Sequence, residues 1–490
     1  MDTKNEKDNS GVEVDSVSLR HADDALLAKL GYKSEFKREF SLIETVAFAF
    51  SIMGVVASVS STLSFGLESG GHVGMVFGWL IPCLFVLPVA LSMAEMASAM
   101  PTSAGFLDGY SCRTLLDYMF LGWANITGQT TLVCSIDWTL ALMISSAVSV
   151  MSDGSIILSS GANFGILLAI LFLHGIVCSA ATSILARLNL FYNKVSTKDA
   201  FTLFENNTGW ANNGWAFILS FTAPMWTLTG YDSAAHISEE VAGAAKAAPI
   251  AIIVGVGATA SLGWILLIAV SFVIPSVSDL ISTPLPLPMA QVFLDVLGKK
   301  GMLAIWSLII VVQFVTGAAQ GVDASRVVFA FSRDNALPGS HWWKQVNPYT
   351  QTPVNAVWLV MLVSAICGVL GFSVTALNSL AGSAVIGLYT SYAFPIFLSP
   401  LGPFNLGRFG KPIGWIAVAW VCFIIIMLLF PPGSGTTGAN MNYAVVIMGA
   451  VFVFATAWWM LSAKKWFHGP IKNIDSPDDF NGMEKRSSVE

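Results

Sequence analysis

Apolar runs long enough to cross a bilayer recur from Leu42 to Leu461, and nothing else about this chain constrains its fold so tightly. Lipid offers the backbone no hydrogen bonds, so each such run must be a helix that pairs its own N–H and C=O groups. About 20 residues make one pass. On that measure the sequence reads as about 11 spans, at 42–67, 74–98, 119–150, 164–184, 214–238, 248–274, 302–331, 353–372, 376–399, 413–430 and 442–462. The expected fold class is an all-α polytopic membrane protein in contact with the lipid bilayer. Only 11% of the residues are charged, against roughly 25% in a soluble chain. The six cysteines form no CxxC pair and read as small core residues, neither a disulfide framework nor a metal site. There is no GxxxxGK[ST] loop, no His/Cys ligand cluster and no hydrolase or transferase constellation. The chain therefore reads as no enzyme, with no cofactor, no direct use of ATP and no nucleic-acid partner.

Three parts follow from the run pattern: a tail at 1–40, a transmembrane domain at 41–463 and a second tail at 464–490. Lys33, Lys37 and Arg38 precede the first run and place the N-terminus in the cytoplasm, because Lys and Arg near span ends favour that side. Arg113 and Arg187 fit the same orientation. The later basic loops are Lys246, Arg333 with Lys344, Arg408 with Lys411, and Lys464 with Lys465. They fit only if Trp215 enters from outside, and Lys299 with Lys300 are the exception. The charges thus require one more crossing between Arg187 and Gly214. That segment holds Lys194, Lys198, Asp199 and Glu205, and each charge at a span centre costs about 2.5–3.5 kcal/mol. The expectation is a chain that lacks one helix. The sequon Asn206-Asn207-Thr208 in the same segment is a glycosylation acceptor if it faces out.

The chemistry is expected at interrupted helices. From Trp215 to Glu240 the run begins apolar, meets Pro224, Thr227, Thr229 and Gly230, and ends polar with Asp232, Ser233, His236, Glu239 and Glu240. Pro and Gly in mid-span are tolerated mainly where protein or a cavity takes up the freed backbone groups. The first span clusters Gly54, Ser58, Ser60, Ser61 and Thr62. Close helix packing accounts for that cluster; so does an unwound point near Gly54, Val55 and Ser58, whose N–H groups receive a carboxylate. Two half-helix sites, one in each half of the chain, are what an inverted repeat produces. Asp137 within the third span is a second candidate, for a substrate ammonium or a proton. His174 reads as a hydrogen-bonded core histidine. Asp323 stands three residues before Arg326, and the pair reads as an ion pair on one helix face.

The stretch TAPMWTLTGYDSAAHISEEV (222–241) resembles the fungal amino-acid/choline permeases, the GABA-permease-like branch of the amino acid–polyamine–organocation superfamily. AEMASAMPTSAG (94–105), GWANITGQ (122–129), ENNTGWANNGWAF (205–217) and ASRVVFAFSRDNALPGS (324–340) fit the same pattern. The resemblance implies a LeuT-type fold of 5+5 inverted repeats plus two C-terminal helices. It implies uptake of a small amino substrate, an amino acid or GABA, by symport with protons; choline or a polyamine is the alternative. The substrate-binding positions it carries over are Gly54, Val55 and Ser58 with Thr229, Gly230, Tyr231 and Asp232. The family's fifth helix is missing after LARLNLFY, where the charges also ask for a crossing, so a non-transporting sensor or an inactive isoform is a further alternative. The plasma membrane is favoured over a vacuolar or other internal membrane.

Overall fold

The computed structural model describes residues 41–99, 115–180, 197–398, 404–438 and 441–467. The two tails, the Arg113 loop and the Arg187 segment lie wholly or mostly outside the described residues. The described chain is helical almost throughout, with α1 Leu42–Met53, α2 Val55–Ala99, α3 Leu115–Met151 and α4 Ser160–Ala180. A short α5 Thr197–Thr202 follows, then α6 Asn213–Leu219, α7 Thr222–Thr227, α8 Ser233–His236 and a 3-10 turn at Ser238–Glu240. The second half continues with α9 Ala244–Ser271, α10 Val277–Ile281, α11 Pro288–Arg333, α12 Ser340–Trp343, α13 Val354–Gly368, α14 Val374–Leu398, α15 Gly410–Leu429 and α16 Ala444–Leu461. Among the described residues, 8 helical stretches are long and apolar enough to cross a membrane. This is a multi-pass membrane protein.

The longest of these stretches, Leu42–Ala99, is not one rod. Gly71 has φ 54 and ψ −135, a conformation that only glycine adopts without strain. The chain folds back there: a methyl on Gly66 would stand 3.3 Å from Met75 Cγ, and one on Gly74 would meet the Gly66 carbonyl at 2.6 Å. The expected spans 42–67 and 74–98 are therefore the two sides of that turn. Gly298, with φ 66 and ψ 175, breaks α11 in the same manner, so the membrane helix begins after it.

Contacts between chain ends define two faces of the bundle. At the N-terminal end Ser98 Oγ donates to the Ala245 carbonyl at 2.7 Å, and the Leu406 N–H donates to Glu95 Oε1 at 3.0 Å. Trp458 Nε1 reaches the Ala336 carbonyl at 3.3 Å, and Thr352 Oγ1 reaches the Ser179 carbonyl at 3.3 Å. At the far end Lys299 pairs with Asp153 at 2.6 Å, and the Asn207 N–H donates to the Glu68 carbonyl at 2.9 Å. There too Ser271 Oγ donates to the Ala200 carbonyl at 2.7 Å.

Ser179 and Ala200 thus stand at opposite ends of the bundle, with residues 181–196 between them outside the described region. That is the geometry the loop charges ask for, with Trp215 entering from the far end. Lys246, Arg333, Lys344, Arg408 and Lys411 belong to loops and helix ends of the N-terminal face; Lys299 and Lys300 belong to the other.

Candidate functional site

Two helices are interrupted in the interior, and they lie side by side. The first break is a single residue. Gly54 closes α1 in the left-handed region (φ 41), its N–H still bonded to the Phe50 carbonyl at 3.2 Å. A helix restarts at once at Val55, and the N–H groups of its first turn have no partner earlier in that helix. Ser58 Oγ donates to the Met53 carbonyl at 2.8 Å, tying the new helix to the end of the old one. Ser60, Ser61 and Thr62 each donate to a carbonyl four residues back on their own helix.

The second break is longer. Pro224 lies in the first turn of α7, where a missing N–H costs little, so the proline does not make the interruption. The chain leaves helical geometry between Thr227 and Ser233, with Gly230 at φ 97. Among the described residues no backbone N–H donates to the carbonyls of Thr227, Leu228 or Thr229. Thr229 Oγ1 donates back to the Met225 carbonyl at 2.5 Å.

The pieces pair crosswise. α1 packs on α8 and α2 packs on α7. Thr62 Oγ1 lies 3.5 Å from Thr227 Oγ1, and a methyl on Gly230 would stand 2.5 Å from Ile52 Cγ2. Gly54, Val55, Ser58, Thr229, Gly230, Tyr231 and Asp232 are therefore brought to one place, and all of the non-glycine members are buried. Ser58 N–H donates to the Gly54 carbonyl at 2.8 Å, but among the described residues the N–H groups of Val55, Val56 and Ala57 meet no backbone acceptor; these donors and the carbonyls at the other break suit the two ends of a zwitterion. A cavity of about 160 Å³ opens toward the far end above α7, lined by Phe65, Glu68, Trp226, Asn378 and Asn442 among others.

Asp137 is held differently. Its Oδ2 pairs with His174 Nδ1 at 3.0 Å, both side chains fully buried. The pair abuts Gly317, where a methyl would stand 2.3 Å from Asp137 Oδ1. His174 is thus the hydrogen-bonded core histidine the sequence suggests. Asp137 lies roughly two turns along α3 from Gln129, the residue of that helix that reaches the second break.

The expected Asp323–Arg326 pair is not the one that forms. Arg326 forks onto Glu240, Nε to Oε1 at 2.6 Å and Nη2 to Oε2 at 3.3 Å, and Arg333 Nη1 reaches Glu239 Oε1 at 3.1 Å. A bidentate carboxylate across the helix interface satisfies a guanidinium better than a short Asp on its own helix.

Sequence reasoning placed little weight on the polar chain beneath the second break. Asp232 Oδ2 accepts from Gln129 Nε2 at 3.2 Å and lies 3.2 Å from His236 Nε2. Gln320 Nε2 donates to Gln129 Oε1. Tyr231, Tyr389 and Tyr392 cluster beside it, with ring centroids 5.6 and 5.3 Å apart along the row. Helical spacing of Thr316, Gln320 and Asp323 was the available signal. The sequon has lost its freedom: Asn206 Nδ2 donates to the Trp210 carbonyl at 2.8 Å and to Asn213 Oδ1 at 3.0 Å, while its Oδ1 accepts from Thr208 Oγ1 at 2.7 Å.

Known proteins share this sequence and this shape. Residues 40–452 match the family described as amino acid permease. An uncharacterised amino-acid permease of Schizosaccharomyces pombe is 36% identical, with 94% of this chain and 92% of that protein covered. The GABA-specific permease of Saccharomyces cerevisiae is 35% identical over 94% of this chain and 87% of its own length. The amino-acid permease BAT1 of Arabidopsis thaliana is 32% identical over 94% and 98%. The crystal structure of MhsT in complex with L-phenylalanine superposes with a TM-score of 0.52 at 11% identity, covering 78% of this chain and 98% of that one. The fold is thus LeuT-like.

Proposed function

Because this chain belongs to the amino acid permease family, we propose that it takes up an amino acid or a GABA-like compound by proton symport. It is a secondary transporter of a small amino compound and not an enzyme. What carries the finer reading is the side-by-side placement of the two breaks. The N–H groups that open the helix at Val55 receive the substrate carboxylate. The carbonyls of Thr227, Leu228 and Thr229, with Asp232 below them, receive the ammonium. Substrate enters from the far end through the cavity lined by Glu68 and Trp226.

In this reading the N-terminus and the basic end of the bundle are cytoplasmic, the tails at 1–40 and 464–490 lie on that side, and the membrane is the plasma membrane. The architecture is a 5+5 repeat plus two C-terminal helices that lacks the family's fifth helix. The transcript across the codons for Tyr192 and Asn193 tests that last point, since an uninterrupted coding sequence there removes a skipped segment as its origin. Asp137 is a supporting residue in this assignment, because its partner is His174.

Purified protein in vesicles loaded with unlabelled compound, given labelled GABA, L-phenylalanine, choline or spermidine outside, separates the substrates by counterflow. Exchange of GABA or an amino acid supports the reading. Exchange of choline or spermidine alone overturns it, and exchange of none favours an inactive form.

A further inference from the structure

Three ionisable groups lie buried directly under the second break: Asp232, assigned above to the substrate ammonium, and His236 and Asp323, which have no part in the substrate contacts. Asp232 and His236 face each other at 3.2 Å on adjacent turns. Asp323, on α11, is completely buried among Gln129, His236, Asp232 and Arg326, yet neither of its oxygens accepts a hydrogen bond of ordinary geometry among the described residues.

The charges around Asp323 can be counted. From its own helix it meets Arg326, which is forked onto Glu240 of the 3-10 turn. From the broken helix it meets Asp232 and His236, with Tyr231 and Tyr392 beside Asp232. Once Arg326 is matched by Glu240, two carboxylates share one imidazole. Even with that imidazole charged, the group is one proton short of neutrality. A buried uncompensated charge is unfavourable in lipid, so one site in the group is set to hold a proton that it releases when the surroundings change.

The position of Asp323 also connects both breaks. Thr316, Gln320 and Asp323 lie on one face of α11 by their spacing. Thr316 Oγ1 donates to the Ser51 carbonyl at the end of α1, at 2.9 Å. Gln320 Nε2 donates to Gln129 Oε1, and Gln129 in turn donates to Asp232. A methyl on Gly230 would stand 3.3 Å from Gln320 Oε1.

We propose that Asp323, set against Asp232 and His236, is the proton-carrying carboxyl of this transporter, and that α11 reports its charge to both half-helix breaks. The inference rests on the proton-symport reading above. An O–H bond forms on Asp323 with a proton from water on the cavity side, and breaks when that proton passes to water at the N-terminal end; nothing is oxidised or reduced.

The test uses the full chain in vesicles containing a pH-sensitive dye, with GABA as the probe. Wild type is expected to acidify the lumen as GABA enters and to concentrate GABA about tenfold per unit of imposed ΔpH. Asp323→Asn is expected to keep GABA counterflow while losing both the acidification and the ΔpH-driven accumulation. Accumulation and acidification equal to wild type in Asp323→Asn overturn the proposal alone. Wild type that exchanges GABA without moving protons overturns the symport reading and this assignment with it. Should Asp323→Asn not fold, or should GABA not be carried, pH-difference infrared spectra of wild type and Asp323→Glu decide. A buried carboxylic-acid band that titrates and moves in the Glu variant supports the assignment, and its absence at every pH overturns it.

Discussion

The two interruptions in the membrane interior are built by opposite means. The break at Gly54 takes one residue, keeps its N–H bonded to Phe50, and carries no ionisable group. The break from Leu228 to Asp232 takes a whole irregular turn, leaves three carbonyls without backbone donors among the described residues, and runs straight into Asp232 and His236. Every break leaves carbonyls before it and N–H groups facing back into it from the helix that follows. At Gly54 the carbonyls of Phe50, Ser51 and Met53 are taken by Gly54 N–H, Thr316 Oγ1 and Ser58 Oγ, so donors remain, whereas at the end of α7 the acceptors remain. The pair therefore has a polarity. One side suits an anion and the other a cation, and ionisable chemistry is confined to the cation side.

The largest effect is expected from Gly230→Leu. The residue sits at φ 97, and even a methyl would stand 2.5 Å from Ile52 Cγ2. Uptake is expected to vanish while the protein still reaches the membrane; normal uptake would detach the second break from the site. Gly54→Ala comes next. Left-handed backbone costs a non-glycine residue about 1–2 kcal/mol, and the added methyl would press on Thr316 Oγ1 at 2.6 Å. Affinity is expected to fall roughly tenfold or more, read as a higher KM; an unchanged KM would mean the first break does not touch substrate.

Asp137→Asn probes a residue away from either break. It is expected to lower the transport rate several-fold at unchanged KM and normal membrane expression, since the loss acts through His174 and the packing at Gly317. A raised KM would instead move Asp137 into the substrate site, and unchanged uptake would remove it from transport. The smallest effect belongs to Ser58→Ala. One buried hydrogen bond to the Met53 carbonyl is lost, worth about 1 kcal/mol, so a change of a few-fold in KM is expected from uptake curves. No change there would show that Gly54 alone holds the first break in shape.

Much of this arrangement was legible in the residues. The apolar runs had to be helices, while Gly54 and Gly230 fitted close helix packing and irregular backbone alike, and their positive φ settles the second. Other points were not legible. Pro224 looked like the breaker but lies in a first turn. Asp323 and Arg326 have the spacing of an intrahelical pair, yet Arg326 turns to Glu240. Gln129 links Asp232 to Gln320, a contact between helices that no local spacing records.

By itself the sequence determined that this chain must cross a bilayer many times and where its helices are weak, because lipid leaves a backbone no other way to satisfy its polar groups. The tertiary structure alone decided which weak points meet, which carboxylate each arginine takes, and that Asp323 is enclosed beneath the second break. Those outcomes depend on distances between groups remote in the chain, and local periodicity carries no record of them.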